Sequence, residues 1–267
     1  MDKAYGPPLE MMGEGKFGQV YKAKIIVPDG EGEVVCIKRQ LIDTDKFREK
    51  YEKEVSILMS IKDIPGTVTL IDHYEMEEGG NKYGYIVMEC IEGCILSECS
   101  GKLDDNGRSV IHKILKILEQ IHKRGIVHKD LHQRNIMVKY CRKDTEVTII
   151  DFGEAMKSFK PEDITMDIGM VGNFLMFLPK TASEYTPAYR EIKKMMRDPN
   201  TTIETLLKHQ WFGELISESV SPEPELAFEG GSIKKTRRKK TKRRRKSKKS
   251  RKSKKKKTRR KKTRRKK

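Results

Sequence analysis

No two cysteines in this 267-residue chain stand at CxxC spacing, and the five present (Cys36, Cys90, Cys94, Cys99 and Cys141) are odd in number. A disulfide framework of the kind that staples small secreted domains is therefore not expected, and a reducing compartment is. Cys90, Cys94 and Cys99 have no nearby histidine to complete a zinc-ligand pattern, so a structural zinc site is not expected either. The first ten residues, MDKAYGPPLE, contain no apolar stretch such as a signal peptide requires. The longest apolar run, Ile168 to Leu178, is broken by Gly and Asn and is too short to span a bilayer. The expectation is a soluble intracellular protein with no membrane span. Acidic residues are missing altogether from Ile233 to Lys267.

That last gap divides the chain by charge. Of its 58 Lys and Arg, 27 lie in residues 233–267, which leaves 31 bases against 39 acids in the remainder. The formal net charge of +19 is thus an average over an acidic body of −8 and a tail of +27. The tail repeats Lys, Arg, Ser and Thr without apolar content and cannot build a core. Residues 214–232 are polar, Pro-containing and acidic, and read as a linker. The remainder is long enough for one large or two small domains.

Within the body the order of elements is informative. Leu9 to Ile26 suits two strands joined by a Gly-rich turn, Pro28 to Glu33 reads as a turn, and Val34 to Lys38 as a strand. Thr44 to Ile61 reads as a helix capped by Asp45, with Phe47, Tyr51, Val55 and Leu58 on one face. Two β-rich runs follow, residues 67–75 and 83–90, separated by the loop EEGGNK. Beyond Ile91 helix predominates: Arg108 to His122, Asp167 to Phe177 and Thr202 to His209, with short strands at Ile136–Val138 and Val147–Ile150. The fold class expected is α+β, strands first and helices after.

Gly13, Gly15 and Gly18 spell GxGxxG, which alone is a common Gly-rich turn. Here a strand, not a helix, follows it, which separates it from the dinucleotide-binding version. Further on stand VVCIK, VHKDLHQRN and TIIDFG, in that order. With Phe17 and Val20 in the glycine segment, this series resembles the protein kinase superfamily over roughly Leu9 to Phe212.

The resemblance implies a bilobal kinase fold: an antiparallel-sheet N-lobe with one helix (residues 1–89) and a mainly helical C-lobe (90–213). It implies ATP and Mg²⁺ as cofactors. Gly13, Gly15 and Gly18 would admit the nucleotide phosphates to the backbone. Lys38, paired with Glu54, would hold the α- and β-phosphates, and Asp130 would orient the acceptor hydroxyl. Asn135 and Asp151 would hold the metal. Met12, Val20, Cys36 and Met137 would sandwich the adenine ring, Glu89 and Ile91 would offer it backbone groups, and Met88 would stand behind it. His128 and Phe152 are expected to pack, not to react. Standing alone, Lys38 and Glu54 would read as ordinary surface charges.

The chain also departs from that family. Asp167, five residues before Gly172, fits the buried Asp that anchors the catalytic loop, but only 15 residues separate it from Asp151. There is no APE sequence, and no Arg near Thr202 to pair with its Glu. This implies an atypical, shortened activation segment. Lys129 stands where an Arg commonly receives an activating phosphate. The run DLHQRN leaves the acceptor open. A Ser/Thr protein kinase is favoured, with a small-molecule phosphotransferase or a pseudokinase scaffold as alternatives. The polybasic tail would bind nucleic acid or another polyanion beside the protein substrate, through phosphate contacts and without base stacking, since no aromatics interleave it. A nuclear or virion location would follow from it.

Overall fold

The computed structural model of the protein describes residues 4–15, 18–27, 30–99, 107–140, 145–175 and 186–213, and these form an α+β structure. The linker and polybasic tail expected at 214–267, Phe17 and Cys141 lie outside the described residues. Six strands make one antiparallel sheet among the described residues: β1 (Ala4–Tyr5), β2 (Glu10–Gly15), β3 (Gly18–Val27), β4 (Gly30–Leu41), β5 (Leu70–Glu78) and β6 (Asn81–Glu89). Their order is β1-β3-β4-β6-β5, with β2 paired to β3.

Successive side chains of a strand point to opposite faces, and β4 shows what that does here. Val35 and Ile37 are buried on one face in a small cluster with Tyr21, Ala23, Tyr85 and Val87. Cys36 and Lys38 therefore face the other way, opposite Met88 and Ile86 of β6, with Val20 of β3 opposite Lys38. A run that reads as a short apolar strand thus sets Cys36 and Lys38 on the concave side of the sheet.

That side is covered by α1 (Asp45–Ile61), whose buried Tyr51, Glu54, Val55, Leu58 and Ile61 recur at three- and four-residue spacing. Thr44, not Asp45, caps it, accepting from the Phe47 N–H; Asp45 is the first residue of the helix. Phe47, expected on the buried face, is 46 % exposed because it lies in the first turn, ahead of the packed stripe. The segments expected as loops at 28–33 and 77–82 are largely strand. β4 already begins at Gly30, and β5 and β6 meet across Gly79 and Gly80, both at positive φ, a tight hairpin that only glycine adopts at low cost.

The larger core is organised by α3 (Gly107–Lys123), in which Val110, Ile111, Ile114, Leu115, Leu118 and Ile121 are wholly buried. Around it lie β7 (Cys94–Ile95), α2 (Leu96–Cys99), β8 (Ile126–Val127), β9 (Ile136–Tyr140), β10 (Thr145–Ile149), β11 (Met156–Lys157), α4 (Pro161–Phe174), α5 (Pro187–Met195) and α6 (Ile203–Leu207). Strands β10, β9 and β7 form one small sheet and β11 and β8 another. Helix α4 begins six residues earlier than expected: Pro161 at its first position presets φ, and Glu162 and Asp163 suit its positive end. Thr202 caps α6, and Trp211 beyond it packs against Tyr189 and Phe212. No helix among the described residues is long and apolar enough to cross a membrane.

One finding runs against the cysteine reading. Where no disulfide framework is expected, Cys36 and Cys90 form a disulfide with Cα atoms 5.0 Å apart. The antiparallel pairing of β4 with β6 sets Cys36 opposite Met88, two residues from Cys90, a proximity that a 54-residue sequence separation conceals.

Candidate active site

A cavity of about 720 Å³ opens beneath the concave face of the sheet. Met12, Gly13, Gly15, Gly18, Val20, Cys36, Lys38, Glu54, Glu89, Ile91, Asn135, Met137 and Asp151 all line it, so the sequence-predicted residues converge. Met88 and Phe152 line it as well. Asp130 is not a lining residue. Its carboxylate is 3.4 Å from Asn135 Nδ2 and 3.6 Å from His132 Nε2, both of which belong to the wall.

Lys38 is the centre of the charged part. Its Nζ donates to Glu54 Oε1 at 2.7 Å and to Asp151 Oδ1 at 2.9 Å. Burial alone would depress the ammonium, but Glu54 and then Asp151 outweigh it and hold Lys38 above the ordinary lysine range. Asp151 is the reciprocal case: burial pushes its carboxyl up, while the Lys38 charge and hydrogen bond bring it below the usual carboxylate range. Glu54 occupies a core position of α1, where a lone carboxylate would be costly; Gln40 donates to its second oxygen at 2.8 Å. Removing one partner from such a buried pair costs ~3–5 kcal/mol. Gln40 was not foreseen, although it lies two residues past Lys38 and so shares its face of β4.

The glycines divide by cause. A Cβ on Gly18 would come within 2.0 Å of the Arg39 carbonyl oxygen, and its φ is +128°, so the sheet itself demands glycine there. Gly13 and Gly15 would meet nothing within 4 Å. Their open faces are what a phosphate-bearing ligand approaching the backbone needs.

The segment from His128 to Asn135 is held by its neighbours. Asp167, wholly buried on α4, accepts from the His128 and Lys129 N–H groups at 2.8 and 2.9 Å, with His122 Nε2 2.9 Å away. Burial keeps the His128 ring below the usual histidine range and therefore neutral. A neutral ring can donate from Nε2 to the Ile150 carbonyl at 3.2 Å and accept at Nδ1 from Asp130 N–H at 3.4 Å. Phe152 lies against it, ring centres 4.9 Å apart, in the same core as Leu58 and Leu70. Asn135 turns its amide nitrogen to the Asp130 carbonyl at 2.9 Å, and no side-chain donor among the described residues bonds its amide oxygen. The Ile150 N–H donates to the Asn135 carbonyl, so Asn135 and Asp151 are brought side by side.

Asn135 and Asp151 fit a magnesium ion by the chemistry of their donors. Each offers a hard oxygen not claimed by a protein donor, and no trio of His, Cys, Asp or Glu among the described residues forms an all-protein cage. Magnesium characteristically takes one or two protein oxygens and keeps water and phosphate oxygens for the rest.

Comparison with known proteins gives the family. Residues 8–176 match the protein kinase domain family. A CDPK-related protein kinase of Daucus carota is 29% identical over 177 residues, 62% of this chain and 29% of that protein. A "probable serine/threonine-protein kinase" of Clostridium acetobutylicum is 29% identical over 180 residues, 65% of this chain and 26% of its own length. One of Clostridium perfringens is 28% identical over 186 residues, 68% of this chain and 26% of that one. The chain therefore spans between a quarter and a third of the length of these relatives.

Proposed function

Since the chain belongs to the protein kinase family, we propose that it transfers the γ-phosphate of ATP to serine or threonine hydroxyls of a protein. The observation that carries the reading is Lys38 joined to both Glu54 and Asp151 within one cavity. It fixes an ammonium where phosphate oxygens would lie, and it aligns a carboxylate beside Asn135 for a metal. Residues 1–89 are the N-lobe in this reading, 90–213 the C-lobe, 214–232 a linker and 233–267 a polybasic arm. The antiparallel sheet followed by mostly helical structure supports that division.

Adenine sits between Met12, Val20 and Cys36 on one side and Met137 on the other, with Glu89 and Ile91 offering backbone groups. Gly13 and Gly15 let the phosphates approach their N–H groups, and Lys38 holds the α- and β-phosphates. Asn135 and Asp151 hold magnesium, which when bound offsets the charge of the phosphate oxygens. Asp130 orients the acceptor hydroxyl and takes its proton. The bond from the γ-phosphorus to the acceptor oxygen forms as that to the β-phosphate oxygen breaks, leaving ADP.

The short, APE-less stretch between Asp151 and Asp167 favours a second reading, transfer to a small-molecule alcohol, because it leaves little chain for docking a peptide. Retention of Lys38, Glu54, Asp130, Asn135 and Asp151 speaks against a pseudokinase scaffold. The tail, at +27, is the proposed contact with nucleic acid or another polyanion, and a nuclear or virion location belongs to the same proposal. The test is γ-phosphate transfer to a panel of basic proteins, peptides and small amino-alcohols, with Asp130→Ala as control. Transfer to protein hydroxyls that Asp130→Ala abolishes is expected. Transfer to small alcohols alone would establish the second reading, and no transfer with no nucleotide binding would establish the scaffold.

A further inference from the structure

Lys129 has φ +66°, one of two non-glycine residues at positive φ among those described; the other is Asp151. A long side chain keeps the left-handed conformation only where its surroundings over-determine it. Lys129 is fixed at both ends. Its N–H donates to Asp167, and its Nζ donates to Asp163 Oδ1 at 2.6 Å. The second Asp163 oxygen accepts from the Ser158 hydroxyl. The chain after Asp151 is meanwhile stitched to the residues ahead of His128. Met156 pairs with Val127 and Lys157 with Ile126, and Ser158 N–H donates to the Gly125 carbonyl at 2.8 Å. The result is a closed ring of contacts through residues 125–130 and 156–163, with Asp130 next to its only cation–carboxylate link among these described contacts.

We propose that Asp163 is a positioning residue for Asp130: by fixing Lys129 it holds the catalytic loop in working shape with no covalent modification of the segment after Asp151. The inference rests on the kinase reading for its catalytic consequence, but the clamp is a matter of geometry. A carboxylate is charged at neutral pH without help, and the Lys129 and then the Ser158 hydrogen bonds hold Asp163 below the usual carboxylate range. The plain alternative is an acid stabilising the first turn of α4, as acids at helix starts do. Glu162 in the same turn could serve that purpose equally and makes no bond to Lys129. An exposed ion pair would contribute little, but here both side chains are largely covered, at 26 and 18 % exposure, and the carboxylate is used twice.

The experiment compares the full chain, made in bacteria and treated with phosphatase, with Asp163→Asn, Asp163→Glu and Lys129→Met. It reads kcat and KM for ATP with the best acceptor of the panel above, and amide hydrogen exchange of the 126–131 segment. The phosphatase-treated wild type should be active. Asp163→Asn should lose about tenfold in kcat, ~1.4 kcal/mol of barrier, with KM for ATP within about twofold. Exchange at 126–131 should quicken, Asp163→Glu should recover part of the loss, and Lys129→Met combined with Asp163→Asn should be no worse than either alone. A lower melting temperature with unchanged kcat and unchanged exchange at 126–131 would reduce Asp163 to a helix-start acid and overturn the proposal. So would a wild type that is active only before phosphatase. Faster exchange in Asp163→Asn with no phosphoryl transfer by any variant would support the clamp while the kinase reading falls.

Discussion

Single side chains carry most of what the sequence made legible. Lys38, Asn135 and Asp151 could be picked out because each belongs to a short run with fixed internal spacing, Glu54 because the resemblance pairs a mid-helix carboxylate with Lys38, and the cavity gathers them. Gln40 and Asp163 escaped notice because what makes each matter is a partner far along the chain, Glu54 and Lys129, and no spacing rule ties them together. The two kinds of glycine give a separable prediction. Gly13→Ala and Gly15→Ala should weaken ATP binding about tenfold (~1.4 kcal/mol) at unchanged stability, since they have room for a methyl group. Gly18→Ala should instead lower stability by more than ~1 kcal/mol, visible in urea unfolding without nucleotide. His112 gives a pH effect of known sign. It is buried against Phe212, and burial, with Lys116 and Lys113 adding to it, pushes its pKa down to about 4. The unfolded chain therefore binds the extra proton between about pH 6.5 and 4, so stability falls as pH drops through that window. His112→Gln should flatten that part of the stability–pH curve, leaving the contribution of His128, which burial shifts the same way.

Helices and strands were legible where periodicity was long and blurred where neighbours decided the ends. α3 matches its expected span to within a residue at either end because its apolar stripe runs its full length. α1 was found but its cap was misplaced by one residue, since Thr44 and Asp45 are both good caps and only backbone geometry separates them. The β5 and β6 strands were read, but the loop between them was drawn too long, since only Gly79 and Gly80 form the turn. α2 and α5 went unread, being short and held in place by the core they touch. The pairing of β4 with β6 has a measurable product. Non-reducing peptide mapping of air-exposed protein should find the Cys36 peptide joined to the Cys90 peptide. Reductant should then lower unfolding stability by up to about 4 kcal/mol, the loop-entropy value for a closure of this length. Unlinked peptides with no response to reductant would contradict the bridge.

For the chain as one object, the division of charge was plain from composition, and the order strands-then-helices was plain from pattern. What could not be read is where the stretch after Asp151 packs. That stretch pairs with residues 125–127, a contact that leaves no periodic trace. The charge division predicts that deleting residues 233–267 abolishes salt-sensitive binding to DNA or RNA while ATP hydrolysis or transfer by the body persists. With the tail present, log affinity should fall against log salt with a slope of about −0.9 per phosphate contacted. A tail-less protein that binds DNA as before would sink that assignment. The sole tryptophan, Trp211, is buried beside Phe212 and Tyr189 and takes no part in lining the cavity beneath the sheet. Intrinsic fluorescence is thus a built-in gauge of whether the helical half is intact, and a quiet one when ligand is added. Titrations of nucleotide will need a labelled analogue or calorimetry, while melting curves need no dye at all.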